Sequence, residues 1–255
     1  MIEIDSVTKR YGERRVVDRL SLTVPAGDFC VLLGSSGCGK STTLRMINRL
    51  IAADSGSIRV AGEDIRSVPA EALRRRIGYA IQSIGLFPHW TAADNILAVP
   101  RLLKWSPSKS AARLDALIAM LRIDPALLRR YPKQLSGGQQ QRIGVARALA
   151  ADPDIILMDE PFAALDPVSR VALQEELRGI HARSSKTIVF VTHNVREAAC
   201  LGNRAILFSP HPGRIREEFK IDLERPRDIN STQLAGYSSE IMRALKGYVT
   251  AEVAE

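Results

Sequence analysis

The stretch Phe29 to Leu33 followed by Gly34-Ser35-Ser36-Gly37-Cys38-Gly39-Lys40-Ser41 constrains this chain more than any other. Five consecutive apolar residues read as a buried strand, since a parallel strand covered on both faces needs no polar alternation. The strand runs straight into a glycine loop of the pattern G-x-x-x-x-G-K-[ST], and "KSTTLRMINRL" after it has helical spacing. Strand, loop and helix in that order are the context in which such a loop holds phosphates. Its glycines let backbone N–H groups approach, Lys40 reaches the β- and γ-phosphates, and Ser41 offers a hydroxyl to Mg²⁺.

Around this unit the pattern is α/β. "IEIDSVTKRY" alternates like a half-exposed strand, Gly12 marks a turn, and "SLTV", "GSIRVAG" and "IGYAIQ" read as further strands, with a helix over 70–76. From Thr91 to Ala150 the patterns turn helical, broken by Pro100, Pro107, Pro125 and Pro132. Strands return with "DIILMD", "TIVFVT" and "RAILFS", separated by helices from Val168 to about Ala182 and over "VREAAC". Alternation on both sides of the helical stretch implies a mostly parallel, two-sided sheet with an inserted helical lobe. "RIREEFKIDL" after Gly213 reads as a strand or hairpin, and 231–249 as a helix, with Pro226 and Asn230 between them.

Several function classes drop out on composition. No run nears the roughly 18 apolar residues of a membrane span, and "MIEIDSVTKRY" has no signal-peptide core. Cys30, Cys38 and Cys200 are odd in number and lack metal-ligand spacing, which points to three free thiols in a reducing compartment. The net charge of +8 is spread over short groups such as Arg74-Arg75-Arg76. Aromatics make up 5% and are not interleaved with the basic groups, so the charge is not read as a nucleic-acid surface.

Other candidate residues fall at strand ends. Asp159 and Glu160 close "DIILMD": an apolar strand ending in a carboxylate suits Asp159 to a metal beside the phosphate loop, and Glu160, facing the other way, to accepting a proton from attacking water. His193 ends "TIVFVT". A lone histidine is ordinarily structural, but ligands of parallel sheets gather at the carboxyl ends of strands, which favours a contact with a γ-phosphate or the water. Gln82 ends "IGYAIQ", where its amide carbonyl would touch metal or water. Tyr11 precedes Gly12, where it would stack on a base or simply end a strand. Cys38, near Lys40 and a helix start, occupies the environment that lowers a thiol's pKa, and is expected to be alkylatable and shielded by nucleotide.

A second glycine-rich stretch, Leu135-Ser136-Gly137-Gly138-Gln139, precedes the helical "QQQRIGVARAL" in the inserted lobe. The N–H groups of such a helix start form an anion site. Placed in a separate lobe, it is expected to serve the nucleotide of a second copy.

Taken together, Tyr11, the Gly34 loop, Gln82, "LSGGQ", "MDEP", "ALD" at 164–166 and His193 resemble the ATPase subunits of ABC transporters. The resemblance implies an α/β P-loop NTPase with a mostly parallel sheet, an antiparallel β edge and an inserted helical subdomain. Residues 1–84 and 151–220 would form the nucleotide-binding core, 85–150 the helical subdomain and 221–255 a helical tail. It also implies a head-to-tail dimer holding two ATPs between the Gly34 loop of one copy and Ser136 to Gln139 of the other. Tyr11 would stack on adenine, Gly34, Ser35, Ser36, Gly37, Cys38, Gly39 and Lys40 would cradle the phosphates, and Thr42 would reach the α-phosphate. Ser41, Gln82 and Asp159 would hold Mg²⁺, Glu160 would be the general base, His193 would position the γ-phosphate and Asp166 would link the two sites.

Ala163 and Asn203 depart from the family pattern, which usually has glycine and aspartate there. "RRYPKQ" before "LSGGQ" is similar to the importer branch, implying a separate membrane permease docked through the segment after Gln82, with Phe87 and Trp90 as apolar anchors. A substrate-binding protein would act with it, and the chain would sit on the cytoplasmic face of the inner membrane. "LRMINRLIAADSGSI", "IGYAIQSIGLFPHWTAADNI" and "VPRLLKW" resemble importers of glycine betaine, choline or carnitine. Many of those carry paired CBS modules after the ATPase, which are not expected here. "SPHPGRIREEFKIDLERPRD" resembles instead the tail of taurine, sulfonate and nitrate importers, the alternative substrate class. A soluble ABC ATPase acting on ribosomes or DNA is the alternative of a different kind.

Overall fold

The computed structural model describes residues 1–163, 165–225 and 227–252, the side chains of 248–252 excepted. Ala164 of the "ALD" stretch and Pro226 lie outside the described residues. The chain divides into two compact units, Met1–Ala70 with Thr187–Glu255, and Glu71–Lys186.

The first unit opens with β1 (Ile2–Tyr11) and β2 (Arg14–Val24), an antiparallel hairpin turning at Gly12 and pairing Tyr11 with Arg14. β3 (Phe29–Leu33) is buried at every residue, as its unbroken apolar run requires, and α1 (Lys40–Ile47) follows the glycine loop. β4 (Ser55–Val60) and the short β5 (Glu63–Asp64) complete an antiparallel sheet in the order β2-β1-β4-β5.

In the second unit α2 (Ala70–Arg76) leads to β6 (Ile77–Ala80), then α3 (Ala92–Ile96), α4 (Ala98–Leu102), α5 (Pro107–Met120) and α6 (Gly137–Leu149). β7 (Ile155–Asp159) pairs in parallel with β6, and α7 (Pro167–Ser184) follows. Helix α6 ties this unit together through two arginines. Arg147 donates to the carbonyls of Ile84 and Gly85, each at 2.8 Å, and Arg142 donates to Leu121 O and to the Glu176 carboxylate on α7.

The remainder of the first unit holds β8 (Thr187–Thr192), α8 (Val195–Leu201), β9 (Arg204–Phe208), β10 (Ile215–Lys220) and α9 (Thr232–Glu252). β3 lies between β8 and β9, parallel to both, and β10 adds an antiparallel edge to β9. Leu33 is level with Thr192 on one side and Leu207 on the other, so the connections after all three strands leave from one edge. Asn203 fits its site because its Oδ1 accepts the Phe29 N–H at 3.1 Å, the acceptor role an aspartate would fill.

Candidate functional site

The phosphate loop grows from that edge. Gly39 caps α1 at φ 96°, where a Cβ would also meet Val17 Cγ2 at 2.9 Å, so conformation and space both require glycine. Lys40 is 4% exposed, and its Nζ donates to Gly34 O at 2.9 Å and Ser35 O at 2.7 Å and contacts Cys38 Sγ at 3.4 Å. The ammonium is thus buried and held by the carbonyls of its own loop. Ser41 and Thr42, half-buried, open α1. Tyr11 stands exposed at the end of β1, with Lys9 Nζ 5.5 Å from its ring centre.

Cys38 corrects one expectation. The thiol is fully buried, and burial pushes its pKa above the ordinary value although the Lys40 ammonium pulls it down. Desolvation of a thiolate outweighs one nearby cation here, so Cys38 is not the activated thiol that its place in the sequence suggests. Cys30, on β3, is pushed up to about 12 by the same cause.

His193 is exposed and follows β8 directly. Behind it Thr192 Oγ1 donates to Glu197 Oε2 at 2.5 Å and accepts the Asn194 N–H at 3.0 Å, which fixes the turn that carries it.

The second unit has its own edge. Ala80 is level with Met158, so the chain after β6 and the chain after β7 emerge together. Asp159 is 1% exposed; Glu160, next in line, adopts φ 46°, a left-handed conformation unusual for a residue with a Cβ and of the sort concentrated at functional sites. The turn brings Glu160 Oε2 to 3.4 Å from Gln82 Nε2, pairing two candidates 78 positions apart.

At the start of α6, Ser136 and Gln139 form a capping box. Ser136 Oγ accepts the Gln139 N–H at 3.2 Å, and Gln139 Oε1 accepts the Ser136 N–H at 2.9 Å. Gly137 and Gly138 are helical, and a Cβ on Gly138 would meet nothing nearer than Leu165 Cδ2 at 3.5 Å, an ordinary contact. Glycine at 138 is therefore not demanded by this chain's own packing. Asp166 caps α7, accepting the N–H groups of Val168 and Ser169 at 3.0 Å each, and the Ser169 side chain together with these N–H groups holds its carboxyl below the usual range.

Behind α3 the loop 87–91 is pinned by the buried Asn95. Its Oδ1 accepts the Phe87 N–H at 2.7 Å, and its Nδ2 donates to the carbonyls of Phe87, Trp90 and Thr91. Phe87, 42% exposed, packs against Trp90 with ring centres 4.6 Å apart. Among the described residues no helix is long and apolar enough to cross a membrane.

No phosphate motif marks the loop between β9 and β10, yet the structure sets it against the phosphate loop: His211 Cε1 lies 3.3 Å from where a Cβ on Gly37 would stand. Its sequence signals are the run Pro212-Gly213-Arg214 and its place at the head of "SPHPGRIREEFKIDLERPRD".

Known proteins are similar to this chain. The glycine betaine uptake system ATP-binding protein YehX of Escherichia coli K12 is 58% identical over 207 residues, 81% of this chain and 67% of that one. The osmoprotectant import ATP-binding protein OsmV of Salmonella typhimurium is 48% identical over 84% of this chain and 57% of its own. The glycine betaine/carnitine/choline transport ATP-binding protein OpuCA of Bacillus subtilis is 50% identical over 81% and 55%. The chain thus spans little more than half the length of the last two. Among solved structures, the dimeric post-hydrolysis state of the ATP-binding cassette MJ0796 bound to ADP and Pi superposes with a TM-score of 0.79 at 31% identity, over 88% of this chain and 100% of that one. The ABC transporter family model matches residues 17–163, from β2 across the phosphate loop and the capped start of α6 to the carboxylates at the end of β7, and with that match the chain belongs to the ABC transporter family.

Proposed function

We propose that this chain is the ATP-hydrolysing subunit of an ABC importer that takes up a quaternary-ammonium osmoprotectant of the glycine betaine, choline or carnitine class. The observation that supports it most is the combination of a complete phosphate loop at Gly34 with a second anion-ready helix start whose Gly138 this chain's packing does not require. A glycine kept where this chain would accept a small side chain suits the close approach of a phosphate group and the face of another chain.

In this reading Tyr11 stacks on adenine, and the loop from Gly34 to Gly39 with Lys40 and Thr42 takes the phosphates, drawing Lys40 off the carbonyls of Gly34 and Ser35. Ser41, Gln82 and Asp159 offer hydroxyl, amide and carboxylate oxygens, the hard donors that suit Mg²⁺ with few protein ligands. When bound, Mg²⁺ would neutralise charge on the β- and γ-phosphate oxygens. The Glu160 carboxylate takes a proton from water as the water oxygen bonds to the γ-phosphorus and the bond to the β,γ-bridging oxygen breaks, leaving ADP and phosphate. Gln82 orients Glu160, and an N–H of His193 donates to a γ-phosphate oxygen. Ser136 to Gln139 of a second copy close over the same nucleotide, and Asp166 joins the two sites.

A separate permease would seat on the platform of Phe87 and Trp90, with the chain on the cytoplasmic face of the membrane and a substrate-binding protein delivering the solute outside. The relatives' names, glycine betaine uptake and osmoprotectant import, support this solute class.

Two measurements test the reading. ATP turnover per chain of the purified protein should climb with protein concentration as dimers form; a per-chain rate independent of concentration down to dilutions where only monomer exists would refute shared sites. Deleting the gene should abolish uptake of labelled glycine betaine, choline or carnitine and leave taurine uptake intact, and the reverse pattern would overturn the substrate class.

A further inference from the structure

The loop 209–214 is built onto the phosphate loop. Gly213 N–H donates to Val16 O at 2.9 Å, and its carbonyl accepts the Asp18 N–H at 3.0 Å. A Cβ on Gly213 would lie 2.1 Å from Cys38 O, so its backbone abuts the phosphate loop with no room for a side chain. Arg214 anchors the other end of the loop, its Nε donating to Asp18 Oδ2 at 2.8 Å, with Asp18 1% exposed. Ser209 closes the turn, its hydroxyl donating to Pro212 O at 2.7 Å and accepting the Arg214 N–H at 2.9 Å.

From this frame His211 reaches back over Gly37, and Arg14 Nη2 donates to its ring, 2.8 Å from Nε2 and 3.2 Å from Nδ1. Arg14 is the hairpin partner of Tyr11. A guanidinium paired with an imidazole thus connects the residue opposite Tyr11 in the hairpin to the phosphate loop at Gly37. Both side chains are exposed, so neither is held there by core packing.

We propose that Arg14 and His211 are nucleotide-binding residues, a pair that meets the sugar and α-phosphate between the base platform and the phosphate loop. The inference rests on reading the Gly34 loop as the ATP site. A guanidinium binds phosphate oxygens through charge-assisted hydrogen bonds in a fixed plane. With an imidazole nitrogen accepting one of its N–H groups, Arg14 is oriented before nucleotide arrives, which reduces the ordering cost of binding.

The test is ATP affinity and turnover of the purified full chain, with melting temperatures measured in parallel. Arg14→Ala and His211→Ala should each raise the Kd for ATP about 5- to 20-fold, as expected for one exposed charge-assisted contact. Turnover at saturating ATP should stay within about two-fold, because the pair lies away from the γ-phosphate. Arg14→Lys, which keeps the cation but loses the planar fork, should recover part of the affinity. If both alanine variants bind within two-fold of the parent while Lys40→Ala destroys binding, the pair is refuted and the ATP site stands. If Lys40→Ala also binds normally, the site itself falls, and this inference with it. A Kd that rises only alongside a lowered melting temperature, with Arg14→Lys no better than Arg14→Ala, would make the pair a structural brace and overturn its role in binding.

Discussion

Arg142, the last residue of the stretch "LSGGQQQR", offers the sharpest test of how the second unit is held together. Its Nη1 donates to both oxygens of Glu176, at 2.6 and 2.9 Å, and to Leu121 O at 2.7 Å. The Glu176 side chain is 2% exposed and that of Arg142 18%. Arg142→Met would keep the aliphatic stem and leave a buried carboxylate and a carbonyl without their donor. Breaking a buried pair from one side costs about 3–5 kcal/mol. The residual solvent access of Arg142 places the expected loss near the lower end, and at about 2–4 °C per kcal/mol for a chain of this size the melting point should fall by roughly 6–12 °C. The pH dependence carries a sign. Burial holds Glu176 above its ordinary pKa while Arg142 pulls it back, so removing Arg142 raises it further. A carboxyl raised in the folded state favours folding below its unfolded pKa, and that contribution is lost as pH rises through the folded value. The variant's deficit should therefore be largest at about pH 7.5 and shrink toward about pH 4.5. Urea denaturation of parent and variant at both pH values, followed by circular dichroism, measures it. Arg142→Met with Glu176→Leu should recover more than half of the loss, since an apolar pair of similar volume leaves no charge buried. A deficit under about 1 kcal/mol at neutral pH, or one that widens on acidification, would refute the reasoning.

Glu160→Gln should bind ATP normally and lose about 10²–10⁴ in turnover, the usual worth of a general base, with single-turnover hydrolysis as the measure; near-normal hydrolysis would remove Glu160 from that role. Cys30, Cys38 and Cys200 are all buried, and burial raises the first two thiols. A thiol reagent at about pH 8 should label the native chain far more slowly than a free thiol and all three cysteines after unfolding. Labelling of native Cys38 at the free-thiol rate would show that burial does not govern it.

Those cysteines also show where reading along the chain stops. The phosphate loop, the capped start of α6 and the carboxylates at the end of β7 were legible because binding phosphate and starting a helix constrain consecutive residues, and consecutive residues are what a sequence displays. The strands followed from apolar runs for the same local reason: β3, β7 and β8 fall on apolar stretches and are buried at every residue. Tertiary structure decided what depends on distant partners. Cys38 looked activated beside Lys40 until its burial was known. Gln82 meets Glu160 across 78 positions, and Arg14 meets His211 across 197. The first pairing forms because β6 and β7 run parallel and end level, the second because the β9–β10 loop packs onto β2, and no spacing along the chain encodes either meeting. Desolvation likewise depends on everything packed around a group, so it too appears only once the chain has folded.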